Sequence, residues 1–294
     1  MHRSGTSLTT NVLAELGVSL SEDLMPATHE NARGYFESQT ISFLQDRILG
    51  LFGLAWDTPN SMKALPPKWW TSPAITPHRN QIAAFVRAEL DKHAVWGFKD
   101  PRTMRLLPMW AGILAELGVE PTFLLVTRNP NEVIGSLFAR GKLDPVIGEL
   151  LWLEHNADAL LACRNNIAAI ADYQGWIDKP VEQGRYLIEK LRLQFDGDEQ
   201  ALQTMLAGVV APELRHHAGT NEFRLPFTAP LYDALLKRDL DGAINVAGLF
   251  NAARLVTSAV TAPLYRKLTE VTDIANQKIK RVAELEAQQQ QQSV

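Results

Sequence analysis

The start of the chain places a cation, a glycine turn and several hydroxyl groups directly before a helical pattern. His2-Arg3-Ser4-Gly5-Thr6-Ser7 leads into apolar residues at helical spacing, Leu8, Val12, Leu13 and Leu16. Free backbone N–H groups at a helix N-terminus bind anions, and a glycine lets the backbone approach a phosphate closely. Arg3 adds a permanent, forked positive charge. The stretch therefore predicts a phosphate-binding loop; the alternative interpretation is a Ser/Thr-rich helix cap.

This loop differs from the ATP-binding P-loop. That motif ends in Gly-Lys-Ser/Thr, where the lysine binds the outer phosphates and the hydroxyl binds magnesium. Here Thr6 and Ser7 follow Gly5, and the cation, Arg3, precedes it. The sequence therefore gives no reason to expect a bound metal ion.

A second group of residues with phosphate-binding chemistry follows a predicted strand. The run Phe123–Thr127 is apolar and reads as a strand, and Arg128-Asn129-Pro130 then begins a helix that extends to about Arg140. Arg128 lies at the strand end, and Ser136, eight residues later, lies on the helix that runs back past it. Both side chains can reach one phosphate. The alternative is an arginine at a helix cap beside an incidental serine.

Charged residues also follow the run Ala94–Phe98, which predicts a short buried strand. This run ends in Lys99-Asp100-Pro101-Arg102. Ligands of α/β proteins bind at the carboxyl ends of strands. A further strand is predicted over Ile167–Ala171.

Glu37 lies just before a predicted helix, Ile41–Leu51, in the stretch Gly34-Tyr35-Phe36-Glu37. Two interpretations of Glu37 are open. Its carboxylate either takes part in chemistry beside the loop or only begins the helix, where a negative charge is favoured.

These motifs, in this order, resemble those of the sulfotransferases that use 3′-phosphoadenosine 5′-phosphosulfate (PAPS). The Arg-Ser-Gly-Thr-Ser run resembles their 5′-phosphosulfate loop. Arg-Asn-Pro with a serine at this spacing resembles their 3′-phosphate site, and the stretch 31–37 resembles a motif of bacterial-type members. The resemblance covers roughly residues 2–217. It implies PAPS as the donor, PAP as the product, and no metal.

The resemblance also implies a role for each matching residue. The residues expected to bind the cofactor are Arg3, Ser4, Gly5, Thr6, Ser7, Arg128 and Ser136. The residues expected to act in catalysis are Arg3, Lys99 and Glu37. Lys99 matches a lysine near the transferred sulfo group. Pro101 stands where cytosolic members have a basic histidine, so we assign the general base to Glu37, with Asp100 as the alternative. Two interpretations of Arg215 are open: it either contacts the cofactor or lies in a solvated turn.

Strands that alternate with helices and end in charged residues predict an α/β fold. We expect three layers, with a mostly parallel sheet flanked by helices, as in the P-loop NTPase-like sulfotransferase core. We assign this core to residues 1–225, and its first strand, which normally precedes such a loop, is expected to be missing before His2. Residues 226–294 are predicted to form a helical tail with weak heptad spacing, ending in a disordered tract, Gln288–Gln292.

Composition excludes several classes of function. The formal net charge of −4 argues against a general nucleic-acid-binding protein. Cys163 is the only cysteine, so no internal disulfide can form, and we expect a buried structural thiol. Polar residues interrupt the most apolar stretch, residues 244–262, which is therefore not expected to span a membrane. No secretory signal is recognised, and a cytoplasmic location is expected.

The sequence thus predicts a PAPS-dependent sulfotransferase acting on a hydroxyl or amine of a small-molecule or carbohydrate acceptor. Carbohydrate is preferred by analogy only. The first alternative is a non-catalytic assembly module on the same fold, and the second is a nucleotide-dependent kinase. The tail is expected to mediate self-association or to cover the active-site side, because its apolar residues are too many to leave in water.

Overall fold

The computed structural model describes residues 1–28, 34–55, 65–141, 144–210 and 220–256, together with residues 274 and 278. The chain divides into two compact units, residues 1–247 and residues 248–294. The division after residue 225 that composition suggested stays a prediction. The stretches 31–33 and 212–217, the positions 268, 271, 275, 282 and 285 that carry the heptad spacing, and the glutamine tract lie outside the described residues.

The first unit is mostly helical. Its helices are α1 (Thr6–Glu15), α2 (Gln39–Leu51), α3 (Thr76–Lys92), α4 (Leu107–Glu116), α5 (Pro130–Gly141), α6 (Pro145–Cys163), α7 (Tyr173–Asp178), α8 (Pro180–Lys190), α9 (Glu199–Val209) and α10 (Thr228–Leu236), and its strands are β1 (Phe123–Thr127) and β2 (Ile167–Asp172). Short 3₁₀ turns occur at Trp69–Thr71, Pro73–Ile75 and Thr103–Arg105. The backbone from 240 to 247 is also helical, as is that from 248 to 256 in the second unit.

The two strands form a parallel sheet, which makes the fold α/β. Leu125 pairs with Ile170, and Thr127 pairs with Asp172, so the two strands end side by side. The strands predicted at 123–127 and 167–171 are therefore confirmed. Helices follow both strands, α5 after β1 and α7 after β2. The helix after β1 was predicted from the sequence, whereas α7 was not.

The strand predicted over Ala94–Phe98 is wrong. Within the described residues, this segment forms only an isolated parallel bridge, from Trp96 to Ser19. Its aromatic side chains stack instead: the rings of Trp96 and Phe98 are 5.4 Å apart, and those of Phe98 and Trp110 are 4.5 Å apart. A short apolar run fits a buried strand and a packed loop equally well, and here the aromatic packing determines its conformation.

Two hydrophobic clusters of described residues contribute to the core of the first unit. One joins α2, α3 and α4 around Ile48, Ile82 and Ile113. The other joins α1, β2 and α7–α9 around Val12 and Trp176. The Trp176 indole donates to Thr9 Oγ1 at 3.0 Å and so ties α7 to α1.

Cys163 is buried at the end of α6, and burial raises the pKa of its thiol to about 12. The thiol is therefore neutral and weakly reactive near neutral pH. This environment is that of the structural thiol expected from the sequence.

Glu149, in the first turns of α6, fastens a distant segment to the core. Its fully buried carboxylate accepts the backbone N–H groups of Arg224 and Leu225 at 2.8–3.0 Å and the hydroxyl of Thr228 at 2.7 Å. Asn131 Nδ2 also donates to the carbonyl of Thr220, at 2.9 Å. Residues 220–228 are thus held against α5 and α6.

We expect Glu149→Gln to lower the free energy of unfolding by about 1–3 kcal/mol, because one acceptor oxygen and its charge are lost where water cannot replace them. Urea denaturation of the whole chain measures this. Glu189→Gln, at an exposed carboxylate, is the control and should change little. Equal stability of the two variants would contradict the anchoring role of Glu149.

Candidate functional site

The predicted phosphate loop precedes the N-terminus of α1. Gly5 has φ +86°, a left-handed conformation that favours glycine, and no described side chain caps α1. A Cβ atom on Gly5 would overlap the ring of Tyr173. The glycine is therefore required both by its backbone angle and by the close approach of β2's carboxyl end. Ser4 is buried, and Thr6 begins the helix.

The Arg128…Ser136 motif lies directly against this loop. Arg3 Nε donates to Ser136 Oγ at 2.7 Å, and Arg128 Nη1 donates to the carbonyl of Arg3 at 3.3 Å. Two motifs that are more than 120 residues apart in the sequence therefore meet at one place. Their guanidinium groups lie on the side of the loop where β1 ends, which is where the sequence predicted a 3′-phosphate site.

The helix α5 begins as the sequence predicted. Pro130 is its first residue, and Asn129 Oδ1 accepts the N–H groups of Asn131 at 2.9 Å and Glu132 at 3.4 Å. This cap fixes the turn immediately after Arg128. The position of the Arg128 guanidinium is therefore set by a strand on one side and a capped helix on the other.

Two residues that the sequence did not single out hold Arg128. Glu132 Oε2 accepts from Arg128 Nε at 2.8 Å, and the Arg128 guanidinium lies 4.0 Å from the centre of the Tyr173 ring. An aromatic face attracts a cation at this distance. Tyr173 follows β2 directly, so its place at a strand's carboxyl end was the available sequence signal.

Lys99 and Glu37 form a second cluster beside the loop. Lys99 Nζ lies 2.5 Å from Glu37 Oε1 and 3.4 Å from Ser7 Oγ. Burial is the main cause that raises the pKa of Glu37, and the charge of Asp100 raises it further, whereas Lys99 and Arg102 act in the opposite direction. The carboxylate thus lies beside the predicted phosphate loop with a pKa above its usual value.

The Asp100 carboxylate already accepts several hydrogen bonds, which makes it a weaker candidate for the general base than Glu37. Its carboxylate accepts the Ser42 hydroxyl at 2.5 Å, the Arg102 N–H at 2.7 Å and the Arg102 guanidinium at 3.0–3.1 Å. Arg102 also pairs with Asp46 and Glu37. Sequence reasoning missed Arg102, Ser42 and Asp46, although Arg102 belongs to the same charged run as Lys99.

His2, at the start of the loop, and His155 of α6 meet edge to face, with their ring centres 6.5 Å apart. Burial lowers the pKa of His155 to about 3. Burial, together with His155, lowers the pKa of His2 well below its usual value. Both imidazoles are therefore neutral at neutral pH.

We expect acid to destabilise the fold through His155. The folded-state pKa lies below the unfolded value of 6.5, so the stabilisation is complete above pH 6.5 and is lost as the pH falls toward 3. At pH 5, about 1.5 pH units below the unfolded pKa, the free energy of unfolding has fallen by about 2 kcal/mol, because each pH unit contributes about 1.36 kcal/mol. Urea titrations at pH 7 and pH 5 should show a smaller loss for His155→Phe than for the native chain. Equal losses would show that His155 does not contribute.

The comparisons with known proteins give no family for this chain. No family model, no curated protein and no solved structure matches it. Among the described residues, no group of three or more His, Cys, Asp or Glu side chains is arranged to hold a metal ion. No helix in the described part of the chain is long and apolar enough to cross a membrane.

Proposed function

We propose that this protein is a PAPS-dependent sulfotransferase, which moves a sulfo group to a hydroxyl or amine of a small-molecule or carbohydrate acceptor. The observation that carries the proposal is the contact between the two phosphate-binding motifs, through Arg3 and Ser136 at 2.7 Å. A donor that carries phosphates on the 3′ and 5′ oxygens of one ribose needs two phosphate-binding groups close together.

The residues around Gly5 fit this donor. The uncapped N-terminus of α1, the hydroxyls of Thr6 and Ser7 and the Arg3 guanidinium suit the 5′-phosphosulfate, and Arg128 with Ser136 suits the 3′-phosphate. When bound, PAPS supplies a sulfo group on a phosphate leaving group. Arg3 and Lys99 would stabilise the charge that develops on the transferring and bridging oxygens.

Glu37 would accept the proton of the acceptor. A general base works best when its pKa lies near the working pH, and burial raises the pKa of Glu37 in that direction. Lys99 contacts both Glu37 Oε1 and Ser7 of the loop, so the carboxylate would lie beside the group to be transferred. Asp100 is engaged by Ser42 and Arg102, which makes it the weaker candidate.

The finer fold belongs to the same proposal. We propose that β1 and β2 are part of the parallel sheet of a three-layer, P-loop-like core. Arg128 and Tyr173 follow the carboxyl ends of these strands, where ligands of such folds bind. A cytoplasmic location is also part of the proposal.

A thermal-shift experiment tests the proposal. The whole chain is melted with PAP, with ATP and Mg²⁺, and with buffer. A ligand that binds only the native state adds about 2.7 kcal/mol when its concentration is 100 times its Kd. We expect PAP to raise the melting temperature. A shift with ATP and Mg²⁺ alone would favour the kinase. PAP binding without sulfo transfer to any of a panel of sugars and amines would favour the non-catalytic module.

A further inference from the structure

Arg102 is the most extensively paired side chain in the cluster beside the phosphate loop. Its side chain is 6% exposed. Its Nε donates to Asp46 Oδ1 at 2.6 Å, and its Nη1 lies 3.0 Å from Asp100 Oδ2 and 3.4 Å from Glu37 Oε2. A planar guanidinium held by several carboxylates has a fixed position and orientation.

The Asp100 carboxylate is itself held in place. The Ser42 hydroxyl of α2 donates to it at 2.5 Å, and the backbone N–H of Arg102 donates to it at 2.7 Å. Asp46 lies one helical turn after Ser42 on α2. The Arg102 guanidinium is therefore fixed to α2 both directly, through Asp46, and indirectly, through Asp100 and Ser42.

The two oxygens of Glu37 contact different cations. Oε1 contacts Lys99, at 2.5 Å, and Oε2 contacts Arg102. Lys99 also contacts Ser7 in the phosphate loop, so an anion on that loop competes with Glu37 for Lys99. Arg102 is held by Asp46 and Asp100 as well as by Glu37, so it keeps its contact with Glu37 when Lys99 turns to the donor.

We propose that Arg102 is a positioning residue for Glu37, which holds the carboxylate through Oε2 while Lys99 turns from Oε1 to the transferring group. This inference rests on the proposed function, in which Glu37 is the base. Without Arg102, the carboxylate that has lost Lys99 would be free to change rotamer. Small displacements of a catalytic group are costly in rate.

The test measures Arg102→Gln and Arg102→Lys in the whole chain, by turnover of PAPS and by calorimetric titration with PAP. We expect Arg102→Gln to lower kcat by about tenfold or more and to leave the Kd of PAP within about twofold. We expect Arg102→Lys to recover part of kcat, because it restores a cation but not the fork. Arg185→Gln, at an exposed arginine paired with Glu199, is the control and should match the native chain.

The pH dependence of kcat provides a readout that a purely structural role would not move. Glu37 faces the cations Lys99 and Arg102 and the carboxylate Asp100, and Asp46 acts on it through Arg102. Loss of the Arg102 charge raises the pKa of Glu37, so the acidic limb of the profile should move to higher pH in Arg102→Gln. An unchanged limb together with native kcat would overturn the inference, as would a loss of PAP affinity equal to the loss of kcat.

A second variant covers the case in which Arg102→Gln does not fold, since Asp100 would lose its main partner. Asp46→Asn changes a side chain that is 43% exposed and loosens Arg102 without leaving a buried charge. We expect about a threefold loss of kcat and unchanged PAP affinity. If the native chain binds PAP and transfers the sulfo group, native kcat in both Asp46→Asn and folded Arg102→Gln overturns this inference alone. A native chain that does not bind PAP overturns the proposed function.

Discussion

Glu37→Gln should lower turnover by roughly 100-fold or more, the usual contribution of a general base, and leave the affinity for PAP nearly intact. The amide cannot take a proton, but it occupies the same space between Lys99 and Arg102. The native kcat should fall on the acid side as the pH passes down through the raised pKa of Glu37, because the protonated carboxyl is no longer a base. Steady-state kinetics from pH 5 to pH 9 measure both effects.

The matched comparison is Asp100→Asn, which changes the other buried carboxylate of the same cluster. Since Asp100 is bonded to Ser42 and Arg102, we expect its loss to act mainly on stability, measured by urea denaturation. Near-native turnover in Glu37→Gln, with a large loss of kcat in folded Asp100→Asn, would transfer the role of base to Asp100.

Much of the site could be predicted because its residues follow local rules. The turn at Gly5, the helix predicted over Leu8–Leu16 and the strand Phe123–Thr127 each depend on short-range patterns. The turn and the strand are confirmed, and the helix is present but spans Thr6–Glu15. Arg128-Asn129-Pro130 is likewise a local signal for a strand end and a capped helix. What these patterns did not establish is that the two motifs touch, which the Arg3–Ser136 bond shows.

The residues that the sequence did not reveal act through partners far along the chain. Arg102 contacts Asp46, Glu37 and Asp100, and two of these three are more than 50 residues away. No spacing rule applies to such pairs, because the packing of α2 against the segment after Phe98 brings them together. Tyr173 is similar, since its contact with Gly5 depends on where β2 ends relative to α1.

The failed strand prediction at Ala94–Phe98 has a different cause. A five-residue apolar run carries no period that separates a strand from a packed loop, and its strand partner is a tertiary property. In this chain the neighbouring segment offers one bridge, at Ser19, and the aromatic rings stack on α4 through Trp110. Lys99 nevertheless lies beside the loop, with its Nζ 3.4 Å from Ser7 Oγ, because the bridge fixes the segment just before it.

The site also makes a sharp prediction for Arg128. We expect Arg128→Ala to weaken PAP binding by about 1.5–3 kcal/mol, or roughly 10–150-fold, as loss of a charge-assisted contact usually does. The side chain is 11% exposed and lies between Glu132, the Tyr173 ring and the Arg3 carbonyl, so its guanidinium is already oriented before any ligand binds. A preoriented cation loses little freedom on binding, which favours the upper part of this range.

Calorimetric titration with two ligands assigns the effect to one phosphate. AMP carries the 5′-phosphate but no 3′-phosphate, so the native chain and Arg128→Ala should bind AMP within about twofold of each other and differ only for PAP. Arg185→Ala, at an exposed ion pair, controls for loss of charge, and Arg128→Lys should recover part of the affinity for PAP because it keeps the charge without the fork. An equal loss for both ligands would place Arg128 at the 5′ end with Arg3, and unchanged affinity for both would remove it from the site.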